Sequence, residues 1–423
     1  MPETDRRYDL VVWGATGFAG GLVAEYLADR YTADDLSLAL GGRDESRLRS
    51  LATRLVGRSE GWDDIPIVLG DATDRASLVE MTGQTDVVCT TVGPYTNYGT
   101  PLVDACVETG TEYCDLTAEV NWIRETVDRF HDAAVGAGTR IVHSCGFDSV
   151  PADLGNALVQ SFAAEEFGAP CEFVRVYVED ASGGVSGGTL ASFAELFGAA
   201  SDDPVVRETL RNPYSLAPPG ERDGVDTGTR FRPRNDRLRS VWTAPSPMGP
   251  ANERVLRRSN ALLGYPWGRE FRCSEVVPTG RGVGGATAAT LFAGGLGLFT
   301  TAMSVSPIRS ALRQFVFPDP GEGPSRAQIE NGHFRVRVVG RGTTVDGQFT
   351  VEAVIGTDLD PGYGATARML GESAMCLLRG ETDSPLDGGV LTPASGIGTP
   401  LADRLRAAGF TVSVGRGTER YSR

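Results

Sequence analysis

Apolar residues run unbroken through Leu10-Val11-Val12-Trp13. They then recur at helical spacing as Phe18, Leu22, Val23, Tyr26 and Leu27. A short apolar run closed by glycines predicts a buried strand, and the recurrence predicts an amphipathic helix behind it. The alternation continues. Strands are predicted at 36–40, 65–69, 86–91, 113–115 and 141–143, with helices at 47–55, 101–108 and 122–135 between them. Strands that alternate with helices predict a parallel sheet covered on both faces, an α/β Rossmann-type doubly wound unit.

The pattern changes after about residue 170. Val174, Val176 and Val178 alternate with Phe173, Arg175 and Tyr177, and Phe334, Val336 and Val338 alternate with Arg335 and Arg337. Phe349, Val351 and Ala353 repeat the period of two, which predicts strands with one wet face in a second, mixed α/β sheet. Residues 202–260 are rich in Pro, Arg and Asp and read as an irregular excursion, part of a substrate lid. A Gly-Gly-Val-Leu-Thr-Pro stretch at 388–393 opens a terminal helix carrying Leu401 and Leu405, expected to return to the first domain. The expected division is a Rossmann domain over 1–155, a second α/β domain over 156–385, and a C-terminal segment over 386–423 packing on the first.

Residues 282–308 contain no charged side chain. Their length would serve a membrane span, but glycine dilutes the hydrophobicity. A buried helical hairpin or the wall of an apolar pocket is the first reading. A peripheral membrane contact is the second.

Composition narrows the class. The chain of 423 residues carries a formal net charge of −15, which opposes nucleic-acid binding. Every basic residue is arginine, so a catalytic lysine and a P-loop lysine are both excluded. The acidic excess without lysine suggests a halophilic cytoplasm. Seven scattered cysteines without a C-x-x-C pair suggest reduced thiols in a cytoplasmic protein. No metal site is expected from three histidines.

Gly14-Ala15-Thr16-Gly17-Phe18-Ala19-Gly20 has the spacing G-x-x-G-x-x-G directly after a strand and opening a helix. Glycine permits the tight turn and close approach to a pyrophosphate, which the helix N-terminus attracts. At the end of the second predicted strand an acidic residue would favour NAD. Arg43 stands there instead and matches a 2′-phosphate, so NADP is favoured over NAD, although Asp44 follows. Asp71 and Ala72 end the third strand on the adenosine side, where Asp71 fits a helix N-cap equally well. Thr91, Val92, Gly93 and Pro94 end the fourth, where a nicotinamide ribose would lie. A reductase also needs a proton donor, for which Tyr95, Asp115 and Asp148 are the candidates. Asp148 and Asp153 read equally as helix caps, His143 as a satisfied core residue, and Cys145 as a buried spectator.

Five stretches resemble the saccharopine dehydrogenase-like oxidoreductases. They are 12–18 (VWGATGF), 92–95 (VGPY), 113–117 (YCDLT), 146–155 (GFDSVPADLG) and 186–192 (SGGTLAS). The branch they are most similar to contains the trans-acting enoyl reductases, which 320–325 and 388–394 resemble as well. The resemblance implies a Rossmann NADP-binding domain, a second α/β domain, and reduction of a C=C or imine-type bond. For the enoyl reductases it also implies an apolar, lipid-like small-molecule substrate. The expectation is therefore an NADP-dependent oxidoreductase, expected as a homodimer. A non-catalytic dinucleotide-binding sensor and a membrane-associated scaffold are the alternatives.

Overall fold

The computed structural model describes residues 6–182, 198, 200, 203–315 and 323–417. The stretch 186–192 and residues 320–322 singled out above lie outside them.

The N-terminal half builds a parallel sheet in the order β13-β6-β5-β4-β1-β2-β3. Its strands are β1 (Tyr8–Trp13), β2 (Leu38–Gly42), β3 (Ile67–Leu69), β4 (Thr85–Thr90), β5 (Glu112–Asp115), β6 (Arg140–Val142) and the late-coming β13 (Gly389–Leu391). The unbroken apolar run of β1 is explained by its two faces. Leu10 and Val12 pack toward helix α1 (Phe18–Arg30), while Val11 and Trp13 enter a separate core with helices at 75–82, 100–109 and 120–137. A strand buried on both sides cannot alternate with polar residues.

The second sheet has the order β14-β12-β11-β7-β10-β9-β8. It comprises β7 (Phe173–Ser182), β8 (Arg234–Asp236), β9 (Val241–Pro245), β10 (Arg272–Gly280), β11 (His333–Thr344), β12 (Gly347–Thr357) and β14 (Thr411–Arg416). The β7–β10 pair is parallel and the others are antiparallel. Helix α2 (Val150–Phe167) covers the apolar face. Its Gly155 lies so close to Val338 that an added Cβ would stand 2.6 Å from Cγ2.

The chain crosses between sheets three times: after β6, before β13, and before β14. Helix Thr366–Arg379 lies on α1 and the parallel sheet. Its buried Glu372 accepts from Tyr31 and is paired with Arg30 (3.0 Å) and with Arg404 (3.0 Å) of helix Pro400–Ala407. The terminal helix thus returns to the first sheet as expected. The strand after it goes the other way and pairs with β12. One apolar core reaches from Leu10 and Val12 to Val336, Val338 and Ile355. All seven cysteines are buried and free.

Two expectations are corrected. The described part of 202–260 is irregular only over 212–233. The rest supplies a helix (Pro204–Arg211), the edge strand β8 with its neighbour β9, and the buried helix Gly249–Leu262. That last helix is polar yet internal because its arginines are satisfied by carbonyls: Arg258 donates to Leu216 and Val390, and Arg254 to Leu210 and Asn212. Nor is 282–308 a buried hairpin. Gly282–Ser304 is one 23-residue helix with only Gly285, Ala289 and Met303 buried. Leu291 is 71% and Leu298 74% exposed.

Candidate functional site

The nucleotide loop is built by close backbone packing. Gly14 adopts φ +85, and a Cβ there would stand 2.6 Å from Val92 Cγ2. A Cβ on Gly20 would stand 2.2 Å from the Gly14 oxygen and 2.7 Å from Thr91 Oγ1. The loop therefore sits against Thr91 and Val92 at the end of β4. At Gly17 the N-cap carries no side-chain hydrogen bond, so no side chain satisfies the first amides of α1. An uncapped helix N-terminus behind a glycine turn fits a pyrophosphate. Two residues unmarked by any motif complete the loop. Arg47 donates to the Thr16 carbonyl (2.9 Å), and the Tyr363 ring meets Phe18 edge-on at 4.7 Å. Gly323 lies on the other part of Phe18, where a Cβ would stand 2.4 Å from the ring.

Arg43 follows β2 and is exposed. Asp44, the rival for a ribose, caps the next helix by accepting from the Arg47 amide (3.0 Å). The cap leaves Arg43 as the group free to meet a phosphate. Asp71 accepts from the amide and hydroxyl of Thr73, which hold its carboxyl below the usual range, with Arg43 adding to the effect. The N-cap of the following helix is Asp74, so Asp71 is not that cap.

The three proton-donor candidates have different surroundings. Tyr95 is 4% exposed, stacks on Trp122 at 5.3 Å, and donates to the Thr90 carbonyl (3.2 Å). Burial pushes its phenol well above the ordinary value. Asp115 is 0% exposed. One of its oxygens accepts from Tyr113 (2.8 Å) and meets His143 Nδ1 (2.7 Å). The other accepts from the amides of Thr117 and Ser144 (both 3.0 Å). A carboxylate so engaged is a structural hub, and both Tyr95 and Asp115 are buried with hydrogen-bond partners inside the protein. His143 is the satisfied core residue it appeared to be, with Nε2 3.0 Å from Thr126 Oγ1.

Asp148 differs. It lies in the loop between β6 and α2, at the carboxyl end of the parallel sheet where ligands of doubly wound folds bind. It is half-buried, and among the described residues no hydrogen bond or ion pair holds it; burial alone pushes its carboxyl up to about 6. It is not a helix cap, because the N-cap of α2 is Ser149. Asp153 is not one either: it accepts from Ser259 (2.6 Å) and the Ala394 amide (2.8 Å), tying α2 to the C-terminal segment.

A network ties this loop to the second sheet. Ser149 donates to Asn252 Oδ1 (2.8 Å), and Asn252 donates to Glu275 on β10 (2.6 Å). Burial pushes Glu275 up to about 7, and the charge of Asp148 adds to the rise. Asn252 and Glu275 escaped the sequence reading because neither belongs to a local motif; the fold alone brings 149, 252 and 275 together.

A glycine-cradled helix N-terminus, an arginine in place of a ribose carboxylate, and an uncompensated carboxyl at the sheet's carboxyl edge define a dinucleotide-dependent oxidoreductase. Residues 10–142 match the family model of the saccharopine dehydrogenase NADP binding domain. The chain is an NADP-dependent oxidoreductase.

Full-length relatives specify the branch. The chain is 39% identical over 428 residues to a Mycobacterium tuberculosis protein provisionally named a trans-acting enoyl reductase, covering 98% of this chain and 99% of that one. It is 37% identical over 428 residues to the trans-acting enoyl reductase of Mycobacterium ulcerans, with 98% and 100% covered. The apo saccharopine dehydrogenase (L-Glu forming) of Saccharomyces cerevisiae shares the fold, with a TM-score of 0.53 at 15% identity over 97% of this chain and 100% of that one. The chain belongs to the saccharopine dehydrogenase-like family, in the branch of the trans-acting enoyl reductases.

Proposed function

We propose that this protein reduces the carbon–carbon double bond of an enoyl-type, apolar small molecule at the expense of NADPH. The observation that carries the reading is Asp148, a half-buried carboxyl near its switching range that faces the cofactor edge of the sheet without a partner. When bound, NADPH supplies the hydride. The residues of this chain do the rest. The amides at the start of α1 hold the pyrophosphate, and Arg43 takes the 2′-phosphate. Thr91, Val92, Gly93 and Pro94 border the nicotinamide ribose, and Asp71 and Ala72 the adenosine. Protonated Asp148 keeps a proton on its carboxyl oxygen for the substrate carbon next to the carbonyl. Ser149, Asn252 and Glu275 fix the loop that carries it.

The names of the relatives support the enoyl class, and the charge-free helix Gly282–Ser304 supports an apolar substrate met at a membrane surface. That helix also offers a homodimer contact. The arginine-only, acidic composition supports a cytoplasmic protein of a salt-loving cell.

The test is NADPH consumption with 2-enoyl thioesters of short and long chains, measured across pH. We expect turnover that favours long chains and falls as pH rises through about 6, where Asp148 loses its proton. NADPH binding without turnover of any enoyl thioester overturns the reading.

A further inference from the structure

The second sheet carries a cavity of about 870 Å³ beside β10. It arises from a mismatch in strand length. Strand β9 first pairs with β10 at Val276, so the edge of β10 from Arg272 to Glu275 has no neighbouring strand there. Carboxylates take its amides instead: Asp226 accepts from Cys273 (3.2 Å) and Glu253 from Glu275 (3.1 Å).

Arginine dominates the lining. Arg230, Arg232 and Arg234 line it from the irregular segment before β8 into the first residue of that strand. Arg237 follows in the turn after β8. Arg272 and Arg341 stand opposite each other across Phe173 in a three-strand row. Among the described residues, no hydrogen bond or ion pair engages the guanidinium of any of these six.

Every acid in the lining, by contrast, has a partner. Asp236 pairs with Arg175 and Tyr177, and Asp226 with Arg257 (2.7 Å). Glu253 accepts from Thr229 (2.8 Å), and Glu275 from Ser246 and Asn252. Six unneutralised guanidiniums therefore face one cavity in a protein of net charge −15. A cleft lined by one sign of charge concentrates the opposite ion, and the guanidinium fork matches phosphate oxygens. The volume lies within the roughly 300–1,000 Å³ usual for small-molecule sites.

We propose that this cavity binds a phosphate-bearing group. The inference rests on the second sheet and not on the reductase reading. Phosphate can arrive on a soluble ester or diphosphate, or as the head of an anionic lipid. The apolar helix Gly282–Ser304 packs on the same strands, β8, β9 and β10, which favours the lipid.

The experiment uses full-length protein saturated with NADPH, so that the nucleotide site is filled. Inorganic pyrophosphate is titrated calorimetrically at low and high salt, and flotation compares phosphatidylglycerol with phosphatidylcholine vesicles. Both are repeated with the combined variant Arg230→Gln, Arg232→Gln, Arg234→Gln. We expect binding that weakens with salt and falls about 30-fold or more in the variant, while NADPH affinity stays the same. Preference for phosphatidylglycerol identifies a lipid head, and pyrophosphate binding without it identifies a soluble ligand; both support the site. Neither pyrophosphate binding nor vesicle preference in the parent protein overturns it. So does a variant that folds, binds NADPH and still takes either probe as tightly as the parent.

Discussion

The ends of β5 and β6 lie side by side on one sheet, and each presents an aspartate at its carboxyl edge. Asp115 has four donors and no exposure; Asp148 is half-buried and, among the described residues, has none. Both sit in low-dielectric surroundings, yet only one is compensated. A buried carboxylate with a full set of donors is held rigid, whereas one without donors has its charge penalised and its proton retained. The pair shows that strand-end position alone does not decide what an acid can do; the surrounding donors do.

That contrast breaks most sharply at Asp148. Asp148→Asn should lower enoyl reduction by about 10²–10⁴-fold with NADPH affinity unchanged, measured by steady-state turnover. The same change should stabilise the fold at pH 7.5 by about 1–2 kcal/mol. In the parent protein the carboxyl titrates near 6 when folded and near 3.8 when unfolded, so its ionisation opposes folding as pH rises through that window. Denaturant melts should show the gain at pH 7.5 and none below about pH 4, where both states are protonated. A destabilised variant would mean that an unseen partner holds the carboxylate.

Asp115→Ala should do the opposite. It strands the Thr117 and Ser144 amides and the His143 ring, and should cost about 3 kcal/mol or more in denaturant unfolding. If stability survives and turnover alone collapses, the hub assignment fails. The smallest effect is expected away from both strands. Arg43→Ala should weaken NADPH about tenfold and leave NADH nearly unchanged, read by fluorescence titration. Equal losses would remove the 2′-phosphate from Arg43.

Much of the first sheet could be read from the chain because its rules are local. An apolar run, a glycine turn and a helical recurrence sit within residues 10–27, and the physics that makes them a nucleotide loop operates there too. The helix Gly249–Leu262 obeys no such rule. Its Glu253, Arg254, Arg257 and Arg258 look solvated in sequence, and only carbonyls and carboxylates from distant segments make their burial tolerable. Helix Gly282–Ser304 misled in the other direction, since its lack of charge suggested a core that the fold does not give it. The proton-donor candidates could be listed from strand ends, but choosing among them required the partners of each carboxyl, and those come from residues such as Ser144 and His143 that converge only in the folded chain.

The three crossings between sheets make the molecule two-bodied in shape but interlaced in chain. Strand β13 cannot leave the first sheet without pulling on β12 and β14, and the second sheet cannot shed β14 without loosening helix Pro400–Ala407 from Glu372. The halves are therefore wired as a closed mechanical loop, unlike two beads on a string. Heat or denaturant should meet one melting unit that takes in both sheets, and any motion of one sheet against the other must be a twist shared by all three crossings.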